Sequence, residues 1–403
     1  MRIGIDTLSV IPNRIGGGEI YLKNLIRNLA EIDKENEYFI FATSENRDLF
    51  EVMQSNFHTV LCKVAQRPSI FRLLYQYFAL PVLAWRYRLD VIHSGSILSP
   101  FLPCRAVLAV QYLTYFDQPQ LFPRLRGYLL RSLTRVSCRK ASRVIAISEY
   151  TKRGVCKYCD LPESRVATIY HGVDHQLFRP LTGAGRPILQ KFGIDSQYQY
   201  ILSVGTSHGW KNITGLVSAF ALLKSRLPED FPLYLVHVGL AGTQHAELLG
   251  LIKSLGLAGQ VVLPGYIPHE EMPALYRGAA ILVFPSFGES FGLPILEAMA
   301  CGVPVITSNR TAMPEVAGEA SFTVNPEDTG MLAEAMRKIL QDATFREELV
   351  AKGLNRAAFF SWEETAHQTG AVLEGTVLVP RDMETRSVLK KDGEGRHAEG
   401  FYR

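Results

Sequence analysis

The chain has 403 residues, 47% hydrophobic and 20% charged, which is material for two domain-sized cores rather than one. No run of about 18 or more apolar residues is free of charge, which excludes a membrane-spanning helix. Six cysteines scattered at 62, 104, 138, 156, 159 and 301 exclude a disulfide framework and fit a reducing compartment.

The formal charge of +4 is unevenly placed: residues 61–160 hold 16 Lys or Arg against 4 Asp or Glu, an excess of +12 that leaves −8 elsewhere. Apolar and aromatic residues are interleaved with these charges. An anionic membrane surface is therefore the expected partner of this half, in preference to nucleic acid.

In chain order, residues 1–9 (MRIGIDTLSV onward) read as a strand, not a signal peptide. A loop with Gly16, Gly17 and Gly18 follows, then an amphipathic helix over 19–30. A glycine turn between a first strand and a first helix lets backbone approach a phosphate. The G-x-G-x-x-G spacing of dinucleotide folds is absent. Strands are expected at 38–42 and 59–64. Over 67–88, arginines alternate with aromatic residues. An interfacial helix there would bury Phe71, Leu74, Tyr75 and Phe78 in lipid; a core helix with a solvated face is the alternative. A strand at 91–93 ends on His93, and another spans 106–110. The helix expected over 121–143 stacks Arg131, Arg135 and Arg139 on one face, a repulsion that an anionic partner would relieve. Strands at 144–148 and 166–169 lead to a Pro/Gly linker over 178–185. The Cys156-x-x-Cys159 pair has no second Cys or His pair nearby and is taken as packing.

The second half opens with a strand at 200–204, a turn from Gly205 to Lys211-Asn212, and a helix over 213–223. A lysine beside a helix N-terminus makes an anion site. Strands at 233–238 and 261–263 and a helix at 272–279 follow. A buried strand (281–284), a polar loop (285–292), a helix (293–300) and a strand (303–306) then give the grammar of a parallel α/β sheet. Glu289 lies in that loop and Glu297 in that helix. Unpaired N–H groups flanked by two carboxylates suit a ligand with a phosphate core and hydroxyl-rich ends, such as a nucleotide sugar. Helices are expected at 330–340 and 345–359. The charged tail beyond 379 is expected to be disordered.

The run Glu289-Ser290-Phe291-Gly292-Leu293-Pro294, with Glu297-Ala298-Met299-Ala300-Cys301-Gly302-Val303-Pro304-Val305-Ile306, resembles the signature of the retaining glycosyltransferases of family 4, the "group 1" glycosyltransferases. The resemblance implies the GT-B fold: two Rossmann-like domains facing across a cleft, with a C-terminal helix crossing back to the first. It places an acceptor-binding domain at 1–180, a nucleotide-sugar domain at 187–360 and the returning helix at 361–378. Lys211 and N–H groups near Gly292 and Leu293 would offset the leaving diphosphate. Glu289 would hold the donor sugar and Glu297 the ribose. Gly17, Gly18, Gly205, Ile267 and Phe291 complete the implied binding set, with no metal and no cofactor beyond the donor. No Asp-x-Asp pair is present.

Two departures from the family pattern stand out. Gln111-Tyr112 replaces a His-Asp pair, which leaves His93 as the nearest candidate acid or base. An arginine expected near Lys211 is missing, with Thr206 or Trp210 in its place and Arg310 as a substitute. The motif style is most like bacterial mannosyltransferases. The expected activity is transfer of mannose from GDP-mannose to a lipid-linked or surface-glycan acceptor, at the cytoplasmic face of a membrane touched through 67–88 and 121–143. A UDP-sugar donor, a different GT-B enzyme such as an epimerase, and a silent sugar-nucleotide-binding partner remain open.

Overall fold

The computed structural model describes residues 1–378 except 13–16, 65–68, 182–190, 192–197, 229–230, 240–241 and 243. Gly16, Arg67, the second half of the Pro/Gly linker, the expected domain start at Pro187 and the charged tail lie outside the described residues.

Two parallel sheets carry the chain. The first has the order β3-β2-β1-β4-β5-β6-β7, formed by β1 (Arg2–Asp6), β2 (Glu37–Ala42), β3 (Phe57–Leu61), β4 (Val91–Ser94), β5 (Arg105–Val110), β6 (Arg143–Ala146) and β7 (Val166–Thr168). The second has the order β10-β9-β8-β11-β12-β13, formed by β8 (Gln199–Val204), β9 (Leu233–Val238), β10 (Val261–Gly265), β11 (Ile281–Phe284), β12 (Val305–Ser308) and β13 (Phe322–Val324). Helices cover both faces, so central strands such as β11 are buried along their whole length and read as continuous apolar runs. In each sheet the strand order reverses once, between β1 and β4 and between β8 and β11. Crevices at the carboxyl ends of such reversals are where open α/β sheets bind ligands.

Helix Gly17–Ile32 buries Tyr21, Leu22, Leu25, Ile26 and Leu29, the one-sided spacing of an amphipathic helix. Part of that face meets helix Trp362–Leu378, which returns from the second domain. The return is fastened where Val173 bridges Ser361. Gly172 sits so close there that a Cβ would lie 2.1 Å from the Trp362 nitrogen.

The segment expected as one helix over 67–88 is broken. Helix Ser69–Leu74 passes through a π-helical turn, Tyr75–Ala79, into helix Leu80–Arg86. Pro81 has no N–H to give the Tyr77 carbonyl four residues back, and the Ser99 hydroxyl donates to that carbonyl instead, at 2.7 Å. Tyr75 packs inward, while Phe71, Leu74, Phe78, Val82 and Trp85 are exposed, Trp85 at 73%.

Each arginine of the stack on helix Arg124–Lys140 reaches a backbone carbonyl of the first domain. Arg131 donates to the Tyr115 carbonyl at 3.1 Å, Arg135 to Tyr158 at 2.9 Å and Arg139 to Cys159 at 3.3 Å. The outward face instead shows Leu125, Tyr128, Leu129 and Val136.

Helix His245–Ser254 and strand β13 go beyond the sequence expectations. The helix buries only Leu248 and Ile252, and the strand has three residues, so neither builds a periodic signal.

Gly172→Ala should cost about 1–3 kcal/mol, because backbone rather than a side chain fills the space. Gly250→Ala, in an exposed helix interior with nothing within 4 Å, should instead gain about 0.5–1 kcal/mol. Urea unfolding of both variants checks the pair.

Candidate active site

The site is built on loops at the carboxyl ends of β8 and β11. The Gly205 N–H donates to the Val238 carbonyl at 2.8 Å, closing β8, and the chain turns through Gly209–Lys211. Asn212 then adopts a left-handed conformation, φ +54°, before helix Ile213–Lys224. Its buried amide donates to the Pro285 carbonyl at 3.2 Å and the Pro326 carbonyl at 2.6 Å, locking three loops together. This clamp positions Lys211, whose Nζ meets Glu289 Oε1 at 2.6 Å and lies 4.9 Å over the Phe284 ring. The pair is only partly exposed, at 16% and 15% of its side chains.

Glu289 is held by its own backbone. Its N–H donates to Thr311 Oγ1 at 2.9 Å, and its carbonyl accepts from the Ala312 N–H. Three residues on, Gly292 takes φ +119°, which a side chain would disfavour, and starts helix Leu293–Ala300 with Pro294 in its first turn. The N-terminus of that helix faces the first domain: a Cβ on Gly17 would lie 4.0 Å from Leu293 Cδ1. The structure thus brings Gly205, Lys211 and Glu289 together, and sets Gly17 opposite Leu293 at the start of the neighbouring helix; a Cβ on Gly18 would meet nothing within 4 Å.

Residues to which the sequence reading gave no role join the two domains beside the site. The Ser290 carbonyl accepts from the hydroxyls of Ser148, at 2.7 Å, and Thr151, at 3.2 Å, and Ser290 Oγ accepts from the Leu113 N–H. Glu315 accepts from the N–H groups of Glu149 at 2.6 Å and Tyr150 at 3.0 Å, capping helix Glu149–Cys159 across the domain boundary. Trp210 stacks between His208 and Phe122 of the first domain, 4.4 and 6.1 Å away by ring centroids. Ser290 stands inside the signature run and Trp210 in the place of the expected arginine, but neither pattern carries a sign of a contact across the domain boundary.

Other expected residues lie elsewhere. His93 has no exposed surface; its Nε2 meets the Tyr21 hydroxyl at 2.9 Å, and burial pulls its pKa down to about 4. A neutral ring sealed inside the first domain has no path to the cleft, so His93 is corrected to a core residue. The side chains of Phe291 and Ile267 are also buried; Phe291 packs on His171 and Phe360. Arg310 pairs with Glu327 at 3.1 Å. Glu297 is buried, with Tyr276 donating to Oε2 at 2.6 Å, and burial raises its pKa.

Two family descriptions match consecutive halves of the chain: Glycosyltransferase Family 4 over residues 15–177 and Glycosyl transferases group 1 over 186–356. O-antigen chain mannosyltransferase B of Escherichia coli is 33% identical, over 70% of this chain and 74% of its own. The chain belongs to the group 1, family 4 glycosyltransferases. It is also 33% identical to the E. coli serotype-specific mannosyltransferase WbdA, but spans only 32% of that longer protein. A D-inositol 3-phosphate glycosyltransferase of Thermobifida fusca is 31% identical over 56% of this chain and 53% of its own. Sucrose-phosphate synthase from Thermosynechococcus elongatus superposes with a TM-score of 0.77 at 22% identity, covering 93% of this chain and 98% of that one. HepE of Anabaena superposes at 0.72 and 18% identity, over 93% and 100%. These structures show the GT-B fold of this glycosyltransferase.

Because its folded pKa is raised, Glu297 contributes stability that is full below its ordinary value of 4.5 and is lost as pH rises through the folded value. Glu297→Gln should therefore melt at or above wild type at pH 8, with the difference shrinking by pH 5. Equal destabilisation at both pH values would show instead that the buried carboxylate stabilises the fold as an ion.

Proposed function

We propose that the enzyme transfers mannose from GDP-mannose to a hydroxyl of a lipid-linked or surface glycan, with retention at the anomeric carbon. The observation that carries this is the Lys211–Glu289 pair beside the N-terminus of helix Leu293–Ala300, facing Gly17. A cation and a helix N-terminus complement a leaving diphosphate, and a carboxylate accepts from sugar hydroxyls. When a donor binds, Lys211 turns to the diphosphate and Glu289 to the sugar. Tyr276 occupies one oxygen of Glu297 and leaves the other for the ribose hydroxyls. The acceptor oxygen forms its bond to the anomeric carbon as the bond to the diphosphate breaks. The acceptor proton passes to the departing oxygen, so no histidine is needed. The mannosyltransferase relatives favour mannose over a UDP-linked hexose. Gln111-Tyr112 and the missing arginine are what favour a silent binding partner.

In this reading Lys211 and the helix N-terminus do the work of a metal. GDP-mannose at about 100 times its Kd should add about 2.7 kcal/mol of stability, and should do so equally with magnesium and with chelator. UDP-sugars should add less. Lys211→Ala should lower kcat/KM by about 100- to 1,000-fold. Near-normal turnover in that variant rejects the role assigned to Lys211, and binding without transfer selects the silent partner.

We also propose that the enzyme works at the cytoplasmic face of an anionic membrane. Segments 69–88 and 121–143 contain no Asp or Glu, and their outward faces present Phe71, Phe78, Trp85, Leu125 and Tyr128 among arginines. Phosphatidylglycerol vesicles should pellet the protein and phosphatidylcholine vesicles should not. The double variant Phe78→Ser, Trp85→Ser should lose most of that binding with its melting temperature intact. Equal pelleting of wild type and variant would reject this surface.

A further inference from the structure

Trp210 stands at one of the two positions where the family pattern expects an arginine beside Lys211, and its ring is engaged across the domain boundary. It lies in the turn Gly209–Lys211 of the second domain, near-parallel to Phe122 of the first, with 13° between the planes and 6.1 Å between the centroids. His208 stacks on it from within its own domain, at 4.4 Å and 19°. Phe122 is itself fixed. It meets the buried Tyr115 edge-on at 6.3 Å. Tyr115 is tied through its hydroxyl to Thr134 at 2.7 Å and through its carbonyl to Arg131. A second close approach lies nearby along both chains: a Cβ on Gly288 would come within 3.0 Å of the amide nitrogen of Gln118.

The backbone of Trp210 leads straight to the ion pair. Its carbonyl accepts from the Phe287 N–H at 2.7 Å, two residues before Glu289. Lys211 follows it in the chain, and the Lys211 N–H donates to the His208 carbonyl at 2.9 Å. The ring is thus joined to the first domain, and the backbone to both loops that carry Lys211 and Glu289. Trp210 and Phe122 are each only half-buried, so their contact is not part of either domain's sealed interior. Neither ring has a charge to offer a leaving group. An arginine in this place would act on a diphosphate directly. A tryptophan acts through geometry: its stack forms only when the two domains meet in one register. A misplacement of about 1 Å at a reacting group can cost about 100-fold in rate.

We infer that Trp210 is a positioning residue: its stack on Phe122 is a clasp that sets Lys211 and Glu289 in place for transfer when the domains are closed. The role in transfer rests on the transferase reading, while the clasp stands on the stack itself. Transfer then depends on Phe122, a residue of the opposite domain that acts only through the ring of Trp210. Donor binding does not depend on it, because the groups assigned to the leaving diphosphate and the sugar, Lys211 and Glu289, both lie in the second domain. In this chain a cation of the family pattern is exchanged for a contact that exists only in the closed form.

Phe122→Ala removes the first-domain half of the clasp and leaves the second domain whole. It should lower the transfer rate at saturating GDP-mannose by about two- to tenfold, the size of one aromatic pair, with the Kd for GDP-mannose within about twofold of wild type. Phe122→Tyr keeps the ring and should keep the rate. Trp210→Ala removes the other half from a surface turn and should be slowed at least as much. The double variant should be no slower than Trp210→Ala, since the two rings act as one unit. The clasp is also read without any transfer. The emission of Trp210, taken as the difference between wild type and Trp210→Phe, should be quenched more readily by acrylamide in Phe122→Ala. Unchanged quenching in Phe122→Ala overturns the clasp. An unchanged transfer rate in that variant, or an equal loss of rate in Phe122→Tyr, overturns the positioning role. Raised quenching in Phe122→Ala while wild type transfers no sugar keeps the clasp and rejects the transferase reading.

Discussion

The loop between β11 and helix Leu293–Ala300 binds two constraints into one. Glu289 reaches Lys211 within the second domain, and its neighbour Ser290 is tied to the first through Leu113, Ser148 and Thr151. Domain closure and the placement of the ion pair therefore cannot vary independently. A rotation of one domain against the other by a few degrees would pull on Ser290 and displace Glu289 at the next peptide. Glu315 adds a second tie, accepting from two N–H groups at a helix start, where a carboxylate is favoured by both the unpaired donors and the dipole. Such charge-assisted bonds are short and directional, and they hold the two domains in one register.

The Lys211–Glu289 pair is strong locally and provisional functionally. Removed partly from water, each charge needs the other while the cleft is empty. In the reaction proposed above, a diphosphate sugar would offer both a partner, anionic oxygens for the lysine and hydroxyl donors for the carboxylate. The ion pair given up would then be replaced by bonds of the same charge-assisted kind. The clamp that makes this possible is Asn212, which holds its strained conformation because two carbonyls from separate loops take its amide protons.

Much of the fold was legible in the sequence, because strands covered on both faces leave unbroken apolar runs and the connections carry glycine and proline where the chain turns. The placement of Glu289, Gly292 and Lys211 was legible for the same reason: they fall at strand ends, where position along the chain implies position at the carboxyl edge of the sheet. What was not legible depends on tertiary direction. The spacing of Arg131, Arg135 and Arg139 puts them on one face, but nothing in spacing says that the face turns inward onto carbonyls of Tyr115, Tyr158 and Cys159. His93 ends its strand as a cleft residue would, yet Tyr21 and the returning helix seal it. Ser290 and Trp210 act across a domain boundary that no local pattern encodes.

The arginine contacts sharpen the reading of the first domain. Arg131, Arg135 and Arg139 each give one bond to a backbone carbonyl, so this face is not made of freely projecting charges alone. What remains outward on helices Ser69–Leu74, Leu80–Arg86 and Arg124–Lys140 is a mixed surface, large apolar side chains with arginine between them. Tyr112 belongs both to this surface and to the first domain's crevice: it lines the crevice beside Gln111 and is itself 61% exposed. A glycan anchored in a bilayer must bring its free end to the cleft while its lipid stays in the membrane. In the membrane-bound reading proposed above, the anchor would lie against these helices and the sugar in the cleft, two demands that a mixed apolar and basic surface beside the first domain's crevice would meet together.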